Sequence, residues 1–127
     1  MEKITLSNFV LQLNQLIISG ETIEAMERFY AENVTMQEND DPPRVGKPIC
    51  IEHEKAMLSG VKSLKATLLN QAIDHQNQVV FSEWVFEFTN HKDKTSILQE
   101  ISVQHWKKGQ IQHEKFYYQK IVVSGGA

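Results

Sequence analysis

The chain has 127 residues, of which 41% are hydrophobic and 23% are charged, and its formal net charge is −3 at pH 7. This length and composition favour one folded domain with a single core over a disordered chain. The mildly acidic balance argues against nucleic acid as the main partner. We expect the domain to span residues 1–122 and to be followed by a flexible tail at residues 123–127.

Cysteine usage and hydropathy bear on the cellular compartment. The single cysteine, Cys50, rules out an internal disulfide and fits a reducing compartment. The first nine residues, MEKITLSNF, are polar and contain no apolar signal core. No apolar run of the sequence approaches the ~20 residues that would span a bilayer. The sequence therefore predicts a cytoplasmic protein that has no membrane partner.

Two helices are predicted at the start of the chain. Apolar residues recur at helical spacing over Leu6–Ser19 and again over Glu21–Tyr30. Thr5 or Ser7 is a suitable N-cap for the first helix. Gly20 is a natural stop between the two helices.

A short strand and a third helix follow. The strand is predicted over Val34–Gln37, and an acidic, proline-containing loop follows it over Glu38–Gly46. The third helix is predicted from Pro48, which suits a first turn, to about Ser59. We expect its buried stripe to consist of Ile49, His53 and Met57.

The rest of the chain is predicted to be β-structure. The segments rich in β-branched and aromatic residues are Leu64–Ile73, Val79–Thr89, Ile97–Trp106 and Ile111–Tyr118. The last two are joined by a polar Lys-Lys-Gly turn, in which Gly109 can adopt a positive φ. In the second segment, polarity places Trp84, Phe86 and Phe88 on the inner face. A register slip of one residue would bring Glu83 inside instead.

The predicted order of elements is α-α-β-α-β-β-β-β. Segregated helices followed by a strand meander indicate the α+β class, with three N-terminal helices packed on one face of a curved antiparallel sheet. The opposite face of the sheet then keeps valine, isoleucine and aromatic side chains exposed. Because such a face usually has a partner, we predict a homodimer that forms through the sheet.

Seven short segments occur in a characteristic order: Gly20-Glu21, Phe29–Val34, Pro43–Lys47, Glu83-Trp84, Val103–Trp106, Gly109–Ile111 and Glu114–Tyr118. Together they resemble the SnoaL-like branch of the nuclear transport factor 2-like superfamily. The resemblance implies a cystatin-like cone, in which a curved sheet wraps around a long helix and a pocket opens at the wide end. It also implies a small apolar ligand and no cofactor. Members include ketosteroid isomerases, polyketide cyclases, dehydratases, epoxide hydrolases and domains without chemistry, so the fold does not specify the activity.

The isomerase pattern of this superfamily carries over only in part. The general-base aspartate falls at Glu38, with Asp40 as the alternative because the loop length differs. The oxyanion tyrosine of the first helix falls at Leu13, which cannot donate a hydrogen bond. The neutral acid of the long strand falls at Ser102. We therefore do not expect steroid isomerisation.

Candidate site residues follow from the inward positions that the resemblance implies. As catalytic residues we expect Glu38 or Asp40 as the base, Glu114 as a second acid or base, and Tyr118 as a hydrogen-bond donor. Acids that share a cavity have raised pKa values, which suit proton transfer near neutral pH. The expected ligand-binding residues are Leu13, His53, Trp84, Phe86, Glu100, Ser102, Gln104 and Phe116.

No metal-binding pattern is present, because the five histidines form no His-x-x-x-His motif and Cys50 has no partner at ligand spacing. Three function classes stay open, of which a protein-interaction role like that of nuclear transport factors has no specific partner indicated by the sequence. The first is a small-molecule-binding protein that performs cofactor-independent isomerisation, cyclisation or dehydration of an apolar carbonyl compound. The alternative is a non-catalytic ligand-binding or dimerisation module, which the leucine at position 13 favours.

Overall fold

Three helices pack on a six-stranded sheet in the computed structural model, which describes residues 5–123 and side chains as far as Gln119. The predicted tail therefore lies outside the described residues, except for Val123, which ends the last strand. The elements are α1 (Leu6–Ile18), α2 (Thr22–Phe29), β1 (Tyr30–Glu38), β2 (Arg44–Val45), α3 (Lys47–Ser59), β3 (Val61–Asp74), β4 (Val79–Asn90), β5 (Thr95–Lys107) and β6 (Gln110–Val123).

The predicted α+β class and the order of the long elements are confirmed. The sheet order is β2-β1-β6-β5-β4-β3, and β3 to β6 form the predicted antiparallel meander. The sheet is mixed, however, because β1 pairs with β6 in parallel. The short strand β2 pairs with β1 and was not predicted, since two residues are too few to show a periodic pattern.

The core lies between the first two helices and the sheet. Thr5, one of the two predicted N-caps, caps α1 by accepting a hydrogen bond from the backbone amide of Asn8. Phe9, Phe29 and Trp106 pack together, with ring centroids 6.0–6.5 Å apart. This cluster joins α1 and α2 to the end of β5.

The buried stripe predicted for α3 was wrong. Ile49 is 59% exposed and His53 is also exposed, whereas Met57 is 37% exposed but lines the cavity described below. The inward side of the helix instead carries Cys50, which is buried, and the half-buried Glu54 one turn later. Since successive residues of a helix are ~100° apart, a phase error of one residue turns a predicted stripe away from the core.

Strand β4 has the face assignment that polarity predicted. Val80, Ser82 and Trp84 are buried, whereas Phe81 is 44% exposed. Glu83 therefore lies on the outer face of the sheet, with the exposed side chains of Phe81, Ile101 and Tyr117. The inner face of β4 continues with Phe86 towards the cavity described below.

Candidate functional site

A cavity of about 140 Å³ lies between the helices and the inner face of the sheet. Its volume is close to the ~150 Å³ of an apolar protein cavity that holds one benzene molecule. Most of its wall is apolar and includes Met36, Phe86, Leu98 and Phe116. The polar side chains in the wall are Thr22, Tyr30, Glu38, Arg44, Glu54, Glu100 and Glu114.

Glu114 is the most buried acid of the cavity, with 3% of its surface exposed. It lies on β6, opposite Gln104 of β5. The Tyr30 hydroxyl donates to its Oε1, and the Gln104 amide donates to its Oε2 at 2.8 Å. The Trp106 indole N–H donates to Gln104 Oε1 at 3.0 Å. Because an amide group presents its oxygen and its NH₂ on opposite sides, the indole fixes which side of Gln104 faces Glu114.

Burial raises the pKa of Glu114 to about 7, although the hydrogen bonds from Tyr30 and Gln104 oppose this rise. A carboxyl group that is shielded from water is harder to ionise, and hydrogen-bond donors to its oxygens partly offset this effect. Burial, together with the adjacent Glu114, raises the pKa of the Tyr30 hydroxyl well above its usual value. Tyr30 is therefore a fixed donor, whereas Glu114 changes its charge near neutral pH.

Glu100 is a different kind of acid in the same cavity. Among the described residues, no side chain or backbone group forms a hydrogen bond or ion pair with its carboxyl group. Burial raises its pKa to about 8, and the negative charges of Glu114, Glu38 and Glu54 add to the rise. Glu100 therefore lines the cavity as an unpaired acid whose pKa lies above neutral pH.

Glu38 and Arg44 form an ion pair at the cavity wall, with Arg44 Nη1 3.0 Å from Glu38 Oε2. Burial raises the pKa of Glu54 on α3, and the positive charge of Arg44 partly offsets that effect. Burial also raises the pKa of Tyr118, with the Glu38 carboxylate as the next contribution. Glu38 is therefore a paired acid, unlike Glu100.

The candidates from the sequence fall into three groups in the structure. The residues that line the cavity are Glu38, Phe86, Glu100, Glu114 and Phe116. The residues that are buried without lining it are Leu13, Trp84, Ser102 and Gln104. The residues that lie elsewhere are the half-buried Tyr118, near Glu38, and the exposed Asp40 and His53.

Each buried member of the second group has a definite environment. Leu13 belongs to the hydrophobic core, and Trp84 stacks on Phe86 with ring centroids 5.6 Å apart. Within the described residues, the Ser102 hydroxyl has no hydrogen-bond partner. Gln104 does not line the cavity but donates a hydrogen bond to Glu114, which does. Leu13, Trp84 and Gln104 thus support the cavity wall from behind.

Among the cavity residues that were not predicted as site residues, Tyr30 and Glu54 have raised pKa values. Tyr30 was assigned to the apolar stripe of the second helix, but it is the first residue of β1. Glu54 lies on α3, for which the predicted inward face was wrong. The four-residue spacing between Cys50 and Glu54 was the available signal, because it places both residues on one side of a helix.

The described part of the chain has neither of two other kinds of site. Between residues 5 and 123, no helix is long and apolar enough to cross a membrane. Over the same residues, no group of three or more His, Cys, Asp or Glu side chains is arranged so that it could hold a metal ion.

No protein-family model and no curated protein matches this chain, but solved structures do. A candidate SnoaL-like polyketide cyclase from Mesorhizobium loti has a TM-score of 0.76 at 16% identity, over 91% of this chain and 100% of that chain. A nuclear transport factor 2-like protein of unknown function from Burkholderia pseudomallei scores 0.77 at 8% identity, over 92% of each chain.

A third similar structure is SalBIII, described as an epoxide hydrolase/cyclase-like enzyme in pyran ring formation in the polyether salinomycin. It has a TM-score of 0.77 at 14% identity, over 93% of this chain and 95% of that chain. At identities this low, the three likenesses show a shared fold and leave the activity to be argued from the site.

Proposed function

We propose that this chain, which has the cone fold of SnoaL-like and nuclear transport factor 2-like proteins, binds a small, mainly apolar carbonyl compound in its cavity. We further propose that it transfers a proton on that compound without a cofactor, in an isomerisation, cyclisation or dehydration. The observation that carries the proposal is the presence in one cavity of two acids, Glu100 and Glu114, with pKa values of about 8 and about 7.

These pKa values suit acid–base catalysis at neutral pH. A general acid or base works best when its pKa lies near the operating pH, because both of its protonation states are then populated. The apolar wall around the two acids keeps a bound carbonyl group out of water, which strengthens every polar contact made to it. A cavity of about 140 Å³ suits a ligand, or part of a ligand, of the size of one six-membered ring.

In this proposal Glu114 is the central acid or base and Glu38 is a second acid of the cavity wall, whereas Tyr118 lies near Glu38 outside the lining. Glu38 lines the cavity and forms an ion pair with Arg44, with Arg44 Nη1 3.0 Å from Glu38 Oε2. Asp40 receives no support as the base because it is exposed and does not line the cavity. Two of the similar structures, the Mesorhizobium loti protein and SalBIII, are described as cyclases or cyclase-like. Their descriptions favour cyclisation among the three proposed reactions.

The second candidate function is a non-catalytic ligand-binding module. The observation in its favour is that both oxygens of Glu114 already accept hydrogen bonds from protein groups, Tyr30 and Gln104. A carboxylate held in this way stabilises a buried site even when it performs no reaction. Binding without proton transfer would therefore identify the module.

We also propose a cytoplasmic homodimer that forms through the outer face of the sheet. Phe81, Ile101 and Tyr117 are each at least 40% exposed on that face, and neighbouring apolar side chains of this size usually have a partner. The unpaired Cys50 supports a reducing compartment.

The test is a thermal-shift screen of cyclic ketones, followed by NMR measurement of deuterium exchange next to the carbonyl in D₂O. We expect a ring ketone such as cyclohexanone to raise the melting temperature and to exchange faster with protein than with buffer. The Glu114→Gln variant is expected to lose this exchange, whereas Glu52→Gln, on the exposed side of α3, is expected to keep it. Unchanged binding and exchange in Glu114→Gln would remove Glu114 from the site.

A further inference from the structure

We propose that Glu100 is the general acid of the cavity and that Tyr30 and Gln104 position Glu114 as the carboxylate that accepts the proton. This inference rests on the proposed function and assigns different catalytic roles to two acids of the same cavity. Glu100 becomes a catalytic residue, and Tyr30 and Gln104 become positioning residues.

Hydrogen bonding separates the two acids. Glu114 accepts hydrogen bonds at both oxygens, from Tyr30 and from Gln104, and this pattern favours its ionised form, which has acceptors only. Each carboxylate oxygen has a second lone pair, so Glu114 can still accept a proton from a ligand. Within the described residues the carboxyl group of Glu100 has no partner. A proton on Glu100 is therefore available to a ligand.

The strand register places the two acids on neighbouring strands, with one inward-facing row of residues between them. Glu100 lies opposite Tyr118, and Gln104 lies opposite Glu114, with the Ser102–Phe116 row between them. The four residues from Glu100 to Gln104 correspond to about 13 Å of strand. Both glutamates nevertheless reach the cavity, as does Phe116 from the row between them. A ring packed against Phe116 would thus lie between the row of Glu100 and the row of Glu114.

The surrounding charges favour the same division. Glu38 of β1 and Glu54 of α3 contribute negative charge around Glu100, which keeps the Glu100 carboxyl group protonated. Arg44 is the one cationic side chain among the described residues that line the cavity, and it is paired with Glu38. The acids therefore outnumber the cation, and burial of an unpaired second negative charge is unfavourable.

The Glu114 carboxylate removes a proton from the carbon next to the ligand carbonyl, and the C–H electron pair forms a C=C bond. The carbonyl π pair moves to oxygen, which takes the proton of Glu100 and gives a neutral enol. Glu114 is then protonated and Glu100 ionised. Return of the Glu114 proton to carbon and of the enol proton to Glu100 restores both acids.

The first test measures the two acids directly in the full-length protein. Glutamate labelled with ¹³C at the carboxyl carbon is titrated by NMR, and the signals are assigned by their loss in Glu100→Gln and Glu114→Gln. We expect the Glu100 signal to titrate at a higher pH than the Glu114 signal. The reverse order, or a Glu100 signal that titrates near the ordinary value of about 4.5, would overturn the division of roles.

The second test measures deuterium exchange of cyclohexanone in D₂O. Glu100→Gln is expected to lower the exchange rate by about a hundredfold, the size usual for loss of a general acid, whereas Glu52→Gln is expected to leave it unchanged. A wild-type rate in Glu100→Gln would overturn the role of Glu100 and leave the proposed function intact. No exchange by the wild type would overturn the proposed function, and the NMR titration would still decide the charge arrangement.

The positioning role of Tyr30 has its own readout. Tyr30→Phe removes one donor to the Glu114 carboxylate, so the pKa of Glu114 is expected to rise and the acidic limb of the exchange–pH profile to move to higher pH. If the exchange rate instead fell equally at every pH and the acidic limb stayed at its wild-type pH, Tyr30 would have only a structural role. Glu100→Asp, which withdraws the acid by one methylene, replaces Glu100→Gln if circular dichroism shows that the latter does not fold.

Discussion

Gln104 and Glu114 face each other across β5 and β6, and the amide of Gln104 donates to Glu114 Oε2 at 2.8 Å. The same amide accepts the indole N–H of Trp106 through its oxygen. One side chain therefore links the aromatic core cluster to the most buried acid of the cavity. The orientation of that acid depends on core packing.

Replacement of Gln104 tests this link. Gln104→Met keeps the shape of the side chain but removes a donor to Glu114 and an acceptor for Trp106. We expect the variant to lose about 1–3 kcal/mol of stability, since a buried polar group is left unpaired, and the pKa of Glu114 to rise. Urea unfolding measures the first effect. Gln99→Met, at an exposed position of the same strand, is the control, and equal stability of the two variants would contradict the prediction.

Glu100 makes stability depend on pH in a defined direction. Its pKa is raised in the folded protein from 4.5 to about 8, so its favourable contribution is complete below about pH 4.5 and is lost as pH rises through about 8. Glu100→Gln removes this loss and should be more stable than the wild type at pH 9, by on the order of 3 kcal/mol. The measurement is urea unfolding from pH 5 to pH 9.

The control for that series is Glu52→Gln, which changes an exposed glutamate of α3. Its stability should follow the wild-type curve at every pH. A stability difference between Glu100→Gln and the wild type that stays constant over the whole range would show that Glu100 titrates alike in the folded and unfolded chains.

The outer face of the sheet provides a prediction about assembly. Phe81→Lys and Ile101→Lys place a charge on side chains that are 44% and 40% exposed, so we expect each to convert a homodimer to monomer with little change in folding. Leu11→Lys, at a 56% exposed position of α1, should remain dimeric. Sedimentation velocity at micromolar concentration measures the outcome, and a monomeric wild type would refute the dimer.

Gly109 and Gly20 have similar backbone conformations but differ in the space available for a side chain. Both have positive φ, +75° and +84°, but a Cβ atom at Gly109 would lie 2.9 Å from the Phe9 ring, whereas nothing lies within 4 Å of one at Gly20. Gly20→Ala should cost about 1 kcal/mol, for the left-handed backbone alone. Gly109→Ala should cost more, because Phe9 must move. Chemical denaturation of both variants checks this order, which equal costs would contradict.

The sequence predicted the elements that have a long and regular pattern. Apolar spacing located α1 within one residue at its C-terminal end, and alternation located the four strands of the meander within a few residues at each end. The positive φ of Gly109 also followed from local chemistry, because only glycine adopts that backbone without strain. These features depend on neighbours in the sequence, so a pattern within one segment is enough to find them.

Other features depend on segments that meet only in the folded chain. The parallel pairing of β1 with β6, the phase of α3 and the contact of Tyr30 with Glu114, 84 residues away in sequence, have no local signal.

The sequence by itself determined the fold class, since the order of helices and strands follows from periodicity. The acids on the inner faces of β5 and β6 were implied by the family resemblance. Only the tertiary structure decided which acids share one cavity and which of them are paired. The pKa of a carboxyl group is set by burial and by charges from other elements, and Glu54, Glu38 and Glu100 come together from α3, β1 and β5. The distances between these residues in space do not follow from their separation along the chain.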